Sequence, residues 1–240
     1  VRAGRTAVLI DIGFSARETA RRLKQVGIDP GELAAILVTH EHADHVAGAP
    51  VASRRWQVPL LCRRAVAEAA GLGRRKDVIL EELPGEPLQL GDLSVTPFPV
   101  PHDAVDTVGF VLEGEGVRAG YATDLGRGTS QVEERLHNCH ILAVEANHDL
   151  DMTRDGPYPW HIKERILGAS GHLSNEAAGD LLARTIGPET REVILAHLSE
   201  TNNQPELALM AARAGAERSA NPRVRLTAAR QHRPAAPIRL

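Results

Sequence analysis

The sequence predicts an α/β fold in which two β-sheets are flanked by helices, and three observations carry that expectation. Short apolar runs of strand type alternate with helical stretches along the whole chain. Some strand runs follow one another as hairpins and others are separated by helices, a pattern that needs sheets with helices packed on them. The 240 residues are 42% hydrophobic and 25% charged, which suits a chain that buries a full core.

Taken in order, the strand candidates are Thr6–Asp11, Ala35–Thr39, Val58–Leu61, Val78–Glu81, Leu93–Val100, Val108–Leu112, Val117–Thr123, Ile141–Glu145 and Val193–Ala196. Helical periodicity covers 15–26, 44–55, 63–70, 129–137, 175–185 and 205–214. Ser174 is placed to cap the helix after it, and Asn203 with Glu206 makes a capping-box-like start. Residues 1–218 read as one domain. Residues 219–240 read as a last strand around Arg223–Thr227 followed by a loose, basic tail. There is no internal repeat.

No apolar run approaches the roughly 20 residues that span a bilayer, and no segment reads as a signal peptide, so no membrane partner is expected. The chain opens on Val1, and an upstream segment is expected to be missing. Cys62 and Cys139 form no CxxC pair, which fits a reduced, cytoplasmic protein without disulfides. The net charge of −3 hides an asymmetry: Arg54, Arg55, Arg63, Arg64, Arg74, Arg75 and Lys76 stand against Glu68 alone, and the six arginines from Arg218 onward stand against no acid. Such clusters fit either a phosphate backbone or a solvated face.

The chemistry concentrates after one strand. Ala35–Thr39 is a buried-strand signature that runs directly into His40-Glu-His42-Ala-Asp44-His45. Alternation puts His40 and His42 on one side of an extended segment, where they can share an ion. Asp44 and His45 follow where the chain turns into a helix, point differently, and can hold a second ion. Imidazole and carboxylate donors suit zinc, manganese or iron. With 11 histidines in the chain a chance polar cluster is the competing reading, but four ligand-type residues in six positions behind a buried strand argue against it.

This HxHxDH segment resembles the metallo-β-lactamase superfamily. The resemblance implies a four-layer αββα sandwich with metal ions where the sheets meet, and three further ligands: His102, a bridging Asp124, and His197, each at a strand end. It assigns His40, His42 and His102 to one ion and Asp44, His45 and His197 to the other, with Asp11 supporting the metal loop without binding metal. Further segments, Pro101–Phe110, Glu145-Ala-Asn-His-Asp149, Tyr158-Pro-Trp160, Gly171–Asn175 and Ala196–Ser199 with Asn202-Asn203, resemble the YycJ (WalJ) group, regarded as 5′-to-3′ exonucleases acting on double-stranded DNA. Two departures are the missing Ser-Gly-Ser-x-Gly-Asn segment and Thr107 in place of the group's Pro.

The same segments are similar to tRNA-processing RNase Z relatives, which implies that Glu145 and His172 form a carboxylate–imidazole pair able to protonate a leaving oxygen. His172 also fits a plain helix-entry residue. His148 fits a contact to metal or phosphate, or a loop closure. Tyr158 and Trp160 suit stacking on a terminal base or packing under a loop. Lys163 and Arg165 suit phosphate contacts or one exposed helical turn, and Arg54 and Arg55 go with the basic cluster. The expectation is therefore a two-metal phosphodiesterase acting on DNA from a 5′ end. The alternatives are an RNA nuclease, a cyclic phosphodiesterase, a thioester or lactone hydrolase on the same scaffold, or a non-catalytic nucleic-acid-binding protein with a vestigial site.

Overall fold

Residues 1–240 are described by a computed structural model, and alternation within the apolar runs explains its layers. Strands β1 (Arg2–Ala3), β2 (Thr6–Ile10), β3 (Leu33–Leu37), β4 (Leu60–Cys62) and β5 (Leu80–Glu82) form a five-stranded sheet in that order, parallel from β2 onward. A seven-stranded sheet runs in chain order from β6 (Leu88–Leu90) through β7 (Leu93–Pro99), β8 (Val108–Gly114), β9 (Val117–Ala122), β10 (Ile141–Glu145) and β11 (Glu192–Ala196) to β12 (Arg225–Ala228). Its β6–β9 half is an antiparallel meander and its β9–β12 half is parallel.

Successive residues of β3 show why the sheets stack. Ile36 faces helices α1 (Ala16–Gln25), α3 (Ala49–Trp56) and α4 (Arg64–Ala69), whereas Ala35 and Leu37 face the second sheet through Val95, Phe110 and Leu112. On the far side of the second sheet, Leu142, Val144 and Leu195 pack against α5 (Ser130–Leu136), α8 (Asn175–Thr185) and α9 (Pro205–Glu217). The result is the expected αββα sandwich. No helix is long and apolar enough to cross a membrane. Cys62 and Cys139 are buried and unpaired, and burial raises both thiols to about 11.

Several elements differ from the sequence reading. The helix expected over 44–55 is two, α2 (Ala43–Val46) and α3, because the Gly48 N–H turns aside to donate to the Ile12 carbonyl. Two helices were not expected, α6 (Leu150–Asp155), capped by Asp149, and α7 (Trp160–Leu167). Their few turns carry too little apolar periodicity to register. Ser174 does cap α8, accepting from the Ala177 N–H. Asn203 does not cap α9: the cap position is Gln204, and the Asn203 amide instead donates to the Ala146 carbonyl at 2.9 Å and pairs with Asn175. Residues 234–240 have no regular secondary structure and are mostly exposed. Residues 236–240 line a cavity of about 780 Å³ beside Ala119, Tyr121, Ile141, Ala143 and Ile194, inner-face residues that the shorter sheet leaves uncovered.

Candidate metal centre and active site

The rim of the five-stranded sheet supplies the first group of ligands. After β3 the chain delivers Thr39 and the fully buried His40, then His42 at the entrance of α2 with Asp44 and His45 in its turn. Asp11 organises this segment. Its carboxylate accepts from the Thr39 N–H (2.8 Å), the Thr39 hydroxyl (2.8 Å) and His45 Nδ1 (2.8 Å), while His40 Nδ1 meets the Thr39 hydroxyl at 2.9 Å. Both buried rings are thereby held by Nδ1, and each keeps Nε2 for the site. Such outer carboxylates orient ligating imidazoles in metal centres.

The rim of the seven-stranded sheet supplies the second group. His102 follows β7 and bonds the Gly171 carbonyl through Nδ1 at 3.1 Å. Asp124 follows β9, Glu145 ends β10, and His197 follows β11. Asp11, Asp124 and His197 all have φ near +55° (57°, 55° and 56°), a left-handed conformation uncommon for non-glycine residues, which turns each strand end sharply toward the seam. The donor atoms fall into four overlapping sets with mutual separations within 4.8 Å: His40, His42 and His102; His40, His45 and Asp124; Asp44, His45 and His197; and Asp124, Glu145, His172 and His197. Asp124 lies where the sets meet, its Oδ2 3.2 Å from His45 Nε2 and its Oδ1 3.5 Å from His197 Nδ1.

Two observations show that this donor set fits divalent cations. His40 Nε2, His45 Nε2 and Asp124 Oδ2 are buried and have no hydrogen-bond partner, a costly state for polar atoms unless something else satisfies them. The local field also favours positive charge at His45 and His197, though not at His40 and His102. Burial drives His40 down to about 3 and lowers His102. Burial opposes charge on His45 and His197 as well, but carboxylates win. Asp11, Asp124 and Asp44 hold His45 far above the usual imidazole range, and Asp124, Asp44 and Glu145 lift His197 to about 10. His197 and His45 in turn hold Asp44 far below the usual carboxylate range. A cation replaces those protons and meets the same charge requirement.

Glu145 occupies the other side of Asp124. It is fully buried, and its Oε1 accepts from both His172 Nδ1 (2.9 Å) and His197 Nδ1 (2.7 Å). Its Oε2 accepts from the Leu125 and Leu173 N–H groups at 2.9 and 3.0 Å. Burial opposes its charge, yet these partners keep its pKa lowered, and Glu145 in return raises His172 against burial. The expected Glu145–His172 pair is present. The second bond, to His197, was not expected, because sequence spacing cannot show that one carboxylate end reaches two rings.

The matching family description, a beta-lactamase superfamily domain, covers residues 6–198 and therefore every one of these strand ends up to His197. The chain belongs to the β-lactamase superfamily. It is 32% identical over 212 residues to the exodeoxyribonuclease YycJ of Bacillus anthracis, covering 85% of this chain and 78% of that protein. It is 34% identical over 210 residues to the exodeoxyribonuclease WalJ of Streptococcus pneumoniae, covering 85% and 77%. Among solved structures, the metallo-β-lactamase fold protein YhfI of Bacillus subtilis superposes with a TM-score of 0.70 at 17% identity, over 95% of this chain and 86% of that one.

Around the superfamily's metal seam the remaining candidates separate. Arg165, on α7, forms an ion pair with Asp103, whose other oxygen is 3.3 Å from His102 Nε2, so Arg165 stands at the rim. Tyr158 and Trp160 are exposed, and the Tyr158 hydroxyl lies 3.2 Å from that of Thr201, just beyond His197. Lys163 turns away: it is buried and donates to the Arg154 carbonyl at 2.5 Å. His148 is buried with neither ring nitrogen partnered and joins none of the ligand sets, and its backbone pairs with Ser174 below the His172 loop. Arg54 and Arg55 end α3, and Arg54 pairs with Asp77 just before β5, at the sheet end opposite His40. Arg63 and Arg64 do lie at the site's end, paired with Asp106 and Glu82. The basic run is thus divided between the two ends of the sheet, and three of its arginines meet acids from elsewhere in the chain.

Proposed function

We propose that this chain is a metal-dependent phosphodiesterase that degrades DNA from a 5′ end, a soluble cytoplasmic enzyme that works with two divalent cations, zinc, manganese or iron. The observation that carries the reading is His172, tied to Glu145 at 2.9 Å and grouped with Asp124 and His197, outside the three donor sets built on His40 and His45. A carboxylate-held imidazole beside a metal centre suits the release of a strongly basic alkoxide, which needs a proton, and DNA hydrolysis has such a leaving group. The YycJ and WalJ relatives, named as exodeoxyribonucleases, support the substrate class.

In this reading His40, His42 and His102 hold one ion and Asp44, His45 and His197 the other, with Asp124 shared. Bound cations there supply charge neutralisation for phosphate oxygens and a water of lowered pKa. The protein's own part is orientation and proton delivery. Asp11 fixes His45 and, through Thr39, His40. Glu145 fixes His172 so that Nδ1–H points at the carboxylate and Nε2 is the atom that gives its proton to the departing sugar oxygen. Arg165 and the site-facing Arg63 and Arg64 offer charge to phosphates along the strand, with Tyr158 and Trp160 beside them. The test is hydrolysis of end-labelled double- and single-stranded DNA and RNA with each metal in turn. The expected result is metal-dependent release of nucleotides from the 5′ end of DNA. Preference for RNA, or for a neutral ester, overturns the reading.

A further inference from the structure

The chain has three Phe, two Tyr and two Trp, and only Phe14 (38%), Tyr158 (37%) and Trp160 (62%) are appreciably exposed. They divide between the two sheets. Tyr158 and Trp160 belong to the rim of the seven-stranded sheet. Phe14 belongs to the loop after β2, and that loop is locked to the metal-bearing turn. The Ile12 N–H donates to the His45 carbonyl at 2.7 Å and the Gly48 N–H to the Ile12 carbonyl at 2.8 Å. Gly13 passes so close to Asp44 that a Cβ there would collide with its carbonyl oxygen.

The Phe14 ring is also braced. The Arg22 guanidinium lies over one face, 4.0 Å from the ring centroid. Arg22 is itself fixed by Glu18 Oε1 at 2.7 Å and by the Gln231 carbonyl at 2.8 Å. Phe14 is thus a partly exposed ring, stacked on a tethered cation and one residue from the glycine that meets Asp44. It has the construction of a platform. We propose that Phe14, backed by Arg22, stacks a base of the substrate strand beside the turn that carries Asp44 and His45. The inference rests on the nucleic-acid reading above. Because every base has a π-face, such a platform is indifferent to sequence.

The test is a cycle that removes the ring from the protein and the base from the DNA. Phe14→Ala should raise KM for a 5′-phosphorylated duplex roughly tenfold, and Phe14→Trp should restore it. On a duplex with abasic residues at the cut end, wild type should already show the raised KM and Phe14→Ala should add little. In a His172→Ala background, 2-aminopurine at the terminal position should be quenched on binding, and less so when Phe14 is replaced. Phe14→Leu, which keeps apolar bulk without a π-face, serves the same comparison if the alanine variant does not fold. Equal KM ratios on the normal and abasic ends, or no change in KM at all, overturn the platform. A wild-type protein that cleaves no DNA in the presence of metal overturns the nuclease reading itself, which is a different result.

Discussion

The two rims of the seam are built by opposite means. On the five-stranded sheet, His40, His42, Asp44 and His45 lie within six consecutive positions, and one carboxylate, Asp11, steadies the turn that carries them. On the seven-stranded sheet, His102, Asp124, His172 and His197 come from four separate loops and Glu145 from the end of β10, brought together by strand pairing in which Val144 sits beside Ala122 and Glu145 beside Ala196. The first rim is a local motif, and its donors are placed by strand and helix geometry alone. The second depends on the register of three parallel strands, and it is there that a proton-carrying pair joins the ligands. On the proposed reading both rims supply metal ligands, and the proton-delivering pair belongs to the second alone.

The strongest challenge to this division is Asp124→Ala, because Asp124 touches both rims. It should abolish phosphodiester hydrolysis and lower the metal content found by elemental analysis, and an active, fully loaded variant would remove Asp124 from the centre. His172→Ala comes next. Turnover on DNA should fall by about 10²–10⁴-fold, the usual contribution of a general acid, with metal content unchanged. The loss should shrink on a nitrophenyl phosphodiester, whose leaving group needs no proton, and loss of an ion would make His172 a ligand instead.

Glu145→Gln sharpens the comparison because it disturbs proton delivery and, through His197, one ligand. A reduction of about 10–100-fold is expected for such an outer residue. The pH profile gives the sign. The carboxylate raises the pKa of His172, so the acid stays protonated further into the alkaline range and turnover falls as pH rises through that value. The amide removes that support, and the alkaline limb should move to lower pH. An unmoved limb would mean that another group sets it. The smallest effect belongs to Arg54→Ala with Arg55→Ala. These residues lie at the far end of the sheet, so DNA affinity should change by no more than about twofold and keep its salt slope, whereas Arg165→Ala should flatten the slope in a titration of binding against ionic strength.

The same contrast decided what could be read from the sequence. The first rim was legible outright, because four donors behind an apolar strand announce themselves by spacing. The ligands of the second rim were legible only in order: strand-end positions marked His102, Asp124 and His197, and the structure brings their side chains to the same seam. What escaped was whatever depends on a side chain reaching sideways. The Asn203–Asn175 pair looked like a helix cap. Lys163 looked like a phosphate contact until its burial was seen. The basic run looked continuous because a one-dimensional tally cannot show Asp77, Glu82 and Asp106 folding back onto it. Helices α6 and α7 were too short for periodicity to speak, and Phe14 carried no signal beyond being one of few aromatics.

That Oε1 of Glu145 accepts from two imidazoles at once has a thermodynamic corollary. A cation held by His197 would, like the proton it replaces, strengthen the opposite N–H of that ring as a donor to the carboxylate that also holds His172. His172 and whatever charge His197 carries would then draw on the same carboxylate. Coupling between two equilibria is reciprocal, so the ease with which His172 is titrated and the tightness with which the neighbouring ion is held are two readings of one free energy. The buried carboxylate works as a balance beam between charge bound on one side and charge released on the other.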